Sequence, residues 1–439
     1  MPRLRPFRAL RFDPSVIGDP ALVTAPPYDV VDAEQRARLI ARHPANVVRL
    51  DLPVEESGDE PDDRYRRAAR TLAGWRSDGT LRKDPHPSVY VYEQTYRVPG
   101  ADTERTQRGF FARLQLEAFG PGGGVLPHER TLTGPKEDRY KLLRATGVNT
   151  SPVVALFDDA SGATATRLAG AAAGKAHVEV TDDDGVRHRL WAVAADGEGP
   201  SAELSAALIA AAEAGPVTIA DGHHRYETAL RYRDERRMSR SCEEDPAFDY
   251  LLTLFLEAQG QPLTVLPTHR LVRGVTHGGE DLVDRARELF DVEPVASSEA
   301  LAERFEVVDR DHGGEGRFGL WTRGGGAFLS ARTDEFAAAL PAGGAALRAL
   351  DVSLLGVALD RLLGVDAAAV AGGAVTYTKS ARAAIAEVDA VGADAAFLLE
   401  GTPVTSIEAV ARDGDVMPQK STYFYPKAMT GLLINPHEW

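Results

Sequence analysis

A short apolar strand that turns directly into a long helix lies near the middle of the chain and constrains the fold most. Pro216–Ala220 has the apolar character of a buried strand, and His224–Arg237 has the composition of a helix. The connection between them is only Asp221-Gly222-His223, in which Gly222 permits a sharp backbone turn. Such a unit predicts a fold that combines a sheet with helices packed against it.

Helix and strand patterns continue on the N-terminal side of this unit. Helices are predicted over Ala33–His43 and Asp62–Trp75, and a buried strand over Asn46–Leu50. Ser88–Val98 and Gln107–Phe119 are long strand patterns, which we expect to pair in one sheet. The pattern as a whole predicts an α+β fold with mixed sheets and helices.

Changes in this pattern predict the domain organisation. They coincide with Gly-containing segments at 120–125 and 276–279. We expect an N-terminal α/β region over 1–120, a central region over 121–275 that contains the strand-turn-helix unit, and a C-terminal α/β region over 276–439. With 439 residues, the chain is too long for one ordinary domain.

The overall charge and the single cysteine narrow the classes of function. The net charge is −15, whereas proteins that bind nucleic acid usually present a basic face, so nucleic-acid binding is not expected. Cys242 alone cannot form an internal disulfide, and no apolar run approaches the roughly 18 residues of a membrane span. We expect a cytoplasmic protein with a small-molecule substrate and no membrane association, while the oligomeric state stays open.

The turn of the strand-turn-helix unit carries the residues that most strongly indicate chemistry. The helix start presents free N–H groups and a partial positive charge next to His223, His224 and Arg225. This arrangement suits a phosphate, and Asp221 is placed to bind Mg²⁺ or to orient a histidine. The alternative is an Asp-Gly turn with an incidental histidine pair. A zinc site is disfavoured, because adjacent histidines point in different directions and no cysteine cluster accompanies them.

A second polar cluster precedes the strand-turn-helix unit. Its basic residues are donors for a phosphate, and its carboxylates suit metal binding or proton transfer. The alternative is a solvated loop that runs into a helix with surface ion pairs. The candidate residues in this cluster are His128, Glu129, Arg130, Thr131, Lys136, Asp138 and Arg139.

Two further segments are candidates on their composition. Lys420, Ser421 and Thr422 lie in a proline-bounded loop and suit phosphate contacts, although a structural turn explains them equally well. Tyr28 and Asp29 follow two prolines and offer an aromatic ring and a carboxylate to a substrate. On its composition alone, that segment is more typical of a rigid turn than of a substrate contact.

The segments described above resemble a bacterial and archaeal family known as "domain of unknown function 1015". The resemblance covers nearly the whole chain, and the stretch from Asp221 to Glu227 is its most specific part. The matching segments are Pro26–Val30, His128–Thr131, Lys136–Arg139, Ile219–Glu227, Leu266–Arg270 and Met417–Lys427.

The Asp221–Glu227 stretch also resembles the phosphate motif of the ParB/sulfiredoxin-like superfamily, which includes CTP-binding partitioning proteins, sulfiredoxins and kinases of free serine. The resemblance implies a ParB/sulfiredoxin-like nucleotide-binding module, in which Gly222, His223, His224 and Arg225 hold phosphates. Sulfiredoxins have a nucleophilic cysteine in this motif, but this chain has His223 there, so sulfiredoxin activity is not expected. No helix-turn-helix segment of the partitioning proteins is evident.

These observations together predict a nucleotide-dependent phosphotransferase that acts on a small hydroxyl metabolite. Free serine and phosphoserine are the first candidates, and that choice comes only from the resemblance. The expected cofactors are Mg²⁺ and a nucleoside di- or triphosphate, namely ADP, ATP or CTP. The alternative is a non-enzymatic nucleotide-binding regulator or a chromosome-associated ParB-like protein.

Phosphoryl transfer assigns roles to the candidate residues, because it needs cations around the moving group and a carboxylate at the hydroxyl. Glu227 ranks below Asp221, since its place in the first helical turn also suits the helix dipole. The predicted catalytic residues are Asp221, His223, Glu129 and Glu227; the predicted metal ligands are Asp221 and Asp138; the predicted substrate contacts are Tyr28 and Asp29. The predicted phosphate and nucleotide contacts are Gly222, His223, His224, Arg225, His128, Arg130, Thr131, Lys136, Arg139, Lys420, Ser421 and Thr422.

Overall fold

A computed structural model of the chain describes residues 1–120, 122–129, 134–239, 244–275, 281–306 and 316–439. Arg130, Thr131 and Cys242 lie outside the described residues, as does the expected boundary at 276–279. The described part forms 16 α-helices and 21 β-strands. No helix within it combines the length and the apolar character needed to cross a bilayer.

The helices are α1 (Pro14–Ile17), α2 (Ala33–Arg42), α3 (Val48–Asp51), α4 (Asp63–Ser77), α5 (Gly134–Thr146), α6 (Ala163–Ala171), α7 (Pro200–Glu213), α8 (His223–Ser239), α9 (Leu282–Arg285), α10 (Ser298–Glu306), α11 (Thr333–Phe336), α12 (Ala345–Arg348), α13 (Asp351–Leu363), α14 (Ala367–Ala371), α15 (Ala381–Asp389) and α16 (Val404–Arg412). The strands are β1 (Leu4–Arg5), β2 (Leu10–Phe12), β3 (Leu81–Lys83), β4 (Ser88–Arg97), β5 (Glu104–Gln115), β6 (Val125–Leu126), β7 (Val148–Asn149), β8 (Val153–Phe157), β9 (Val178–Thr181), β10 (Arg187–Ala194), β11 (Val217–Asp221), β12 (Tyr250–Glu257), β13 (Thr264–Leu266), β14 (His269–Val272), β15 (Phe290–Pro294), β16 (Arg317–Thr322), β17 (Gly325–Ala331), β18 (Val375–Thr378), β19 (Ala395–Leu398), β20 (Tyr423–Tyr425) and β21 (Asn435–Pro436).

The larger sheet has nine strands and is mixed. Its order is β6-β11-β8-β12-β5-β4-β10-β9, with β1 also paired to β5. The pairs β6–β11 and β8–β12 are parallel, and the other neighbours are antiparallel. The predicted pairing of Ser88–Val98 with Gln107–Phe119 is confirmed by β4 and β5. The prediction of an α+β fold with a mixed sheet is also confirmed.

Apolar packing fixes α7 and α8 against one face of the nine-stranded sheet. Ile219 of β11 and Phe255 of β12 lie in one cluster with Leu208 of α7 and Tyr226 of α8. Burying an apolar side chain of this size is worth about 1.5–3 kcal/mol. The helix that follows β11 is therefore held firmly against the strand from which it departs.

The smaller sheet has six antiparallel strands in the order β15-β17-β16-β19-β14-β18. On one face, Phe305 of α10 and Ile385 of α15 pack with Leu398 of β19. On the other face, Leu320 of β16 belongs to a larger core that includes Leu355 of α13. Both faces of this sheet are thus covered by helices with apolar side chains.

Segment 417–439 returns from the smaller sheet to the larger one. Within it, β20 pairs with β13 and β21 pairs with β7. Arg113, a buried residue of β5, donates from Nε to Asn435 Oδ1 at 2.6 Å and from Nη2 to the carbonyl oxygen of Pro436 at 2.6 Å. These bonds hold the segment beside the nine-stranded sheet.

The predicted strand over Asn46–Leu50 is wrong, because the chain forms the short helix α3 there. The Val48 N–H donates to the Asn46 side-chain oxygen at 3.0 Å, and Asn46 Nδ2 donates to the Leu22 carbonyl oxygen at 2.8 Å. A short buried apolar run suits either a strand or a helix. Here the side-chain bonds of Asn46 favour the helical turn.

Strands from residues 1–120 and from residues 121–275 lie together in the nine-stranded sheet. These two parts of the chain also share one apolar cluster, in which Val91 and Phe110 lie with Val153 and Val217. The division of the chain into three regions stays a prediction.

Candidate functional site

A β-bulge ends β11 where the chain enters α8. The register between β11 and β8 shifts between Ile219 and Asp221, which re-aims the side chains at the strand end. Gly222 follows with a φ of 93°, a conformation that favours glycine. A Cβ at Gly222 would lie 3.0 Å from Arg225 Nε and 3.1 Å from Val153 Cγ2. The predicted strand-turn-helix unit is confirmed, and its turn needs glycine.

Asp221 lies between two cations. Its Oδ2 accepts a hydrogen bond from Arg225 Nη2, and its Oδ1 accepts one from Lys427 Nζ. The three side chains are between 10% and 13% exposed. Burial alone would raise the pKa of Asp221, but the charges of Lys427 and Arg225 outweigh burial and hold the pKa well below its usual range. Asp221 is therefore a carboxylate at physiological pH.

Arg225 and Arg139 both approach the ring of Tyr28. The guanidinium carbon lies 4.2 Å from the ring centre for Arg139 and 6.0 Å for Arg225. Burial raises the pKa of Tyr28 to about 12. The Tyr28 hydroxyl therefore stays protonated, and two cations that the sequence predicts as phosphate contacts lie on the same aromatic ring.

A buried polar network centred on Asp51 fixes Arg139. Arg139 Nη1 donates to the Asp51 carbonyl oxygen at 2.6 Å, while Thr150 Oγ1 and Ser151 Oγ donate to the carboxylate at 2.6 Å and 3.1 Å. Beside this network lies a cavity of about 50 Å³, which has room for one or two water molecules. Its polar lining includes Tyr28, Asp51, Arg139, Asn149, Thr150, Ser151, Arg225 and Thr228.

Two of the predicted phosphate-binding histidines are neutral. The ring centres of His128 and His223 are 4.7 Å apart, and the His128 backbone N–H donates to His223 Nε2 at 3.2 Å. Burial lowers the pKa of His128 to about 4 and the pKa of His223 well below 6.5. His128 Nδ1 contacts the Ile219 carbonyl oxygen, so it carries the proton, and Thr422 Oγ1 donates to His128 Nε2 at 2.9 Å. These rings act through hydrogen bonds and not as cations.

Glu129 has a pKa near neutrality. The Lys420 backbone N–H donates to Glu129 Oε1 at 3.0 Å. Burial raises the pKa of Glu129 to about 7, against the opposing effects of that hydrogen bond and of the Lys420 charge. A carboxylate with such a pKa accepts and returns a proton at neutral pH, as a general base must.

Two lysines lie over the ring of Tyr423. The Nζ atoms of Lys379 and Lys427 are 4.1 Å and 4.3 Å from the ring centre. Lys379 is exposed as a whole residue, but partial burial of its ammonium group lowers its pKa, and repulsion from Lys427 and Lys420 lowers the pKa further. The region around Asp221 is therefore rich in positive charge.

Some predicted site residues pair with each other or with structural residues. Lys136 of α5 forms an ion pair with Glu227 of α8, and both side chains are about 28% exposed. Asp138 accepts hydrogen bonds from Tyr65 at 2.7 Å and Arg64 at 3.0 Å, and it pairs with Arg139. These contacts tie α5 to α4 and α8.

The remaining predicted contacts take varied positions. Ser421 is buried and donates to the Pro418 carbonyl oxygen at 2.5 Å. Asp29 and Lys420 are exposed, and His224 is half-buried at the start of α8.

Other side chains contact the carboxylates of the predicted metal ligands Asp221 and Asp138, whose role in metal binding stays a prediction. Both carboxylate oxygens of Asp221 are engaged by Arg225 and Lys427, and those of Asp138 are engaged by α4 and Arg139. Among the residues that the structure describes, no group of three or more His, Cys, Asp or Glu side chains is arranged to hold a metal ion.

Sequence reasoning missed Lys427, Lys379, Tyr423 and Asp51 as site residues. Lys427 and Tyr423 lie in Met417–Lys427, one of the segments that carry the family resemblance. That resemblance could have indicated them as site residues. Asp51 and Lys379 have no local pattern, because each reaches the site only through the packing of distant segments.

The fold and the site define a mixed α+β protein with a buried carboxylate between two cations at a helix start. Residues 4–353 match the family described as "Protein of unknown function (DUF1015)", so the chain belongs to this family. A comparison with curated proteins gave no match.

Several solved structures are distantly similar. A conserved hypothetical protein from Pyrococcus furiosus is 14% identical, with a TM-score of 0.32 over 69% of this chain and 87% of that chain. A free serine kinase in complex with AMP is 14% identical, with a TM-score of 0.35 over 75% and 92%. SbnI with a C-terminal truncation, from Staphylococcus aureus, is 10% identical, with a TM-score of 0.35 over 72% and 86%. At these scores the likeness carries no argument about function.

Proposed function

We propose that this protein is a nucleotide-dependent phosphotransferase that acts on a small hydroxyl metabolite. One observation carries the proposal: Asp221 is buried between Arg225 and Lys427 at the start of α8, close enough to Glu129 to influence its pKa near 7. Fixed cations and a carboxylate that accepts a proton are what phosphoryl transfer requires. The low exposure of these side chains to water strengthens each of these interactions.

The pKa values support a division of roles between the two carboxylates. Asp221 is a weak base, because its cationic partners hold its pKa low, so we assign it the anchoring of Arg225 and Lys427. Glu129 is assigned the deprotonation of the substrate hydroxyl, because its pKa is near 7. His223 is assigned a hydrogen-bonding role, since a neutral ring neither attracts nor repels a phosphate strongly.

A nucleoside di- or triphosphate is proposed to place its phosphates at the start of α8, near Gly222, His224 and Arg225. The resemblance of Asp221–Glu227 to the ParB/sulfiredoxin-like motif supports this placement. That resemblance also makes free serine and phosphoserine the first substrates to test. Mg²⁺ is proposed to accompany the nucleotide through its phosphates, as this ion commonly does.

A non-enzymatic nucleotide switch is the alternative, and an exposed, flat basic surface would favour it. The burial of Asp221 and the raised pKa of Glu129 favour the enzyme.

A phosphate-transfer assay tests the proposal, with purified protein, Mg²⁺, ATP, ADP or CTP, and serine or phosphoserine. Glu129→Gln keeps the shape of the side chain but cannot accept the proton, so we expect kcat to fall by about 100-fold or more while nucleotide affinity is retained. Glu137→Gln is the matched control, because Glu137 is exposed on α5 and pairs only with Arg231 among the described ion pairs. Equal rates for Glu129→Gln would remove the assigned role, and nucleotide binding without transfer would favour the switch.

A further inference from the structure

Three lysines from separate parts of the chain converge near Tyr423. Lys379 directly follows β18 of the six-stranded sheet, whereas Lys420 and Lys427 belong to segment 417–439. The Nζ atoms of Lys379 and Lys427 lie 4.1 Å and 4.3 Å from the Tyr423 ring centre. Lys420 is near enough for its charge to act on Lys379. The end of the six-stranded sheet and segment 417–439 therefore contribute cations to one place.

Several cations meet at this place, although the whole protein has a net charge of −15. The carboxylates whose charges act on these cations or on the Tyr423 ring are Asp29, Asp51, Asp184 and Asp221, with Glu129 near its pKa at neutral pH. Within the described ranges, Lys379 forms no ion pair with a carboxylate. The cations are Arg225, Lys379, Lys420 and Lys427.

A charged Lys379 is costly in the free protein, because it has no ion pair among the described residues and lies beside two other lysines. Like charges repel over distances within the Debye length of about 10 Å, and repulsion from Lys427 and Lys420 adds to the effect of burial in lowering the pKa of Lys379. A bound anion would remove the repulsion and accept charge-assisted hydrogen bonds. The ammonium group of lysine suits this role, because it acts as a compact charge with three donors.

We propose that Lys379, Lys420 and Lys427 form a subsite for an acidic group of the substrate. The inference rests on the proposed function and narrows its substrate class to hydroxyl compounds that carry a carboxylate or a phosphate. Because Lys379 directly follows β18 and Arg225 belongs to α8, the acidic group and the transferred phosphoryl group would contact different parts of the fold.

Calorimetric titration with three probes tests the subsite. Phosphoserine carries a phosphate and a carboxylate, glycerate carries only a carboxylate, and glycerol carries neither. The wild type is expected to bind phosphoserine and not glycerol. Whether it also binds glycerate depends on which acidic group the subsite recognises. Lys379→Gln should weaken anion binding at least tenfold, while Lys379→Arg should retain most of it. Lys175→Gln, at another exposed lysine, is the control and should behave as the wild type.

Folding of the variants is checked by their melting temperatures. Lys379 is exposed as a residue, so we expect no loss of stability from Lys379→Gln. Binding of phosphoserine alone supports the subsite and identifies a phosphate as its ligand, whereas binding of glycerate as well identifies a carboxylate. The subsite is overturned if the wild type binds neither anion, if glycerol binds as well as glycerate, or if Lys379→Gln binds the anions as the wild type does.

Titration of the same proteins with ATP and Mg²⁺ separates this inference from the proposed function. If the wild type binds no nucleotide but loses anion binding on Lys379→Gln, the subsite stands and the phosphotransferase is rejected. If the wild type binds nucleotide and Lys379→Gln leaves anion binding unchanged, the subsite is rejected, and the proposed phosphotransferase is not affected.

Discussion

The two large sheets of the protein hold their charged residues in different ways. Both faces of the six-stranded sheet are packed with apolar side chains such as Leu320 and Leu398, and the buried basic residues on its described strands, His269 and Arg270, are neighbours on β14. The nine-stranded sheet instead ends β11 on Asp221, a buried carboxylate held by cations. The smaller sheet is stabilised mainly by apolar packing, whereas the site end of the larger sheet depends on charge balance.

Replacing Asp221 should have the largest effect. Asp221→Asn leaves Arg225 and Lys427 buried without their carboxylate, and breaking a buried ion pair in this way costs about 3–5 kcal/mol. We expect this loss in the free energy of unfolding, measured by urea denaturation, together with loss of nucleotide binding. Adding Lys427→Met should restore part of the stability. A fully stable Asp221→Asn protein would contradict the charge-balance account.

A cavity in the smaller sheet should destabilise the protein without harming the site. Leu320 is fully buried, and replacing a buried leucine by alanine costs about 2–5 kcal/mol. Leu320→Ala should therefore lower the urea midpoint, while the folded protein binds ATP with wild-type affinity in calorimetry. A change of ATP affinity by tenfold or more would show that packing in the smaller sheet influences the site at the end of the larger sheet.

The raised pKa of Glu129 should make stability depend on pH. Its pKa is about 7 in the folded protein, above its ordinary value of 4.5, so the folded protein keeps a proton that the unfolded chain has lost between these pH values. The stability contribution of Glu129 is therefore fully present below pH 4.5 and is lost as the pH rises to about 7. For each unit by which the folded and unfolded pKa values differ, the free energy of unfolding falls by at most about 1.4 kcal/mol.

Glu129→Gln removes this titration, which urea denaturation at pH 5 and pH 8 measures. From pH 5 to pH 8, the unfolding free energy of Glu129→Gln should fall less than that of the wild type. Glu137→Gln should show the same change as the wild type. Parallel pH profiles for Glu129→Gln and the wild type would argue against the raised pKa.

The ion pair between Lys136 and Glu227 should contribute least. It is partly exposed, and such pairs are worth about 0–1 kcal/mol. Glu227→Gln should therefore change the unfolding free energy by no more than this and leave the transfer rate unchanged. A 100-fold fall in kcat with normal stability would instead give Glu227 the catalytic role that its sequence position suggests.

Local patterns predict some of this structure well. The unit from Pro216 to Arg237 is predictable, because an apolar strand, a glycine turn and a helix are all encoded within some twenty neighbouring residues. The turn into α3 is not predictable from hydrophobicity, because Asn46 decides it through hydrogen bonds to the backbone, including the distant Leu22.

The composition of the site depends on contacts that no local pattern contains. Asp221 and Lys427 are 206 positions apart, so only the return of segment 417–439 to the larger sheet brings them together. Conversely, Lys136 and Glu227 have the residue types of a phosphate site, but the packing of α5 on α8 pairs them with each other. Residue type identifies candidates, and tertiary packing selects among them.

The return of segment 417–439 also sets the order in which the site is assembled during synthesis. A ribosome produces Asp221 and Arg225 long before Lys420, Thr422 and Lys427, at about 5–20 residues per second. For some ten seconds or more, the nascent nine-stranded sheet therefore lacks part of its polar site. Asp221 is still without Lys427, and His128 is still without Thr422. The growing polypeptide completes the set of charges around Asp221 only after the six-stranded sheet has been made.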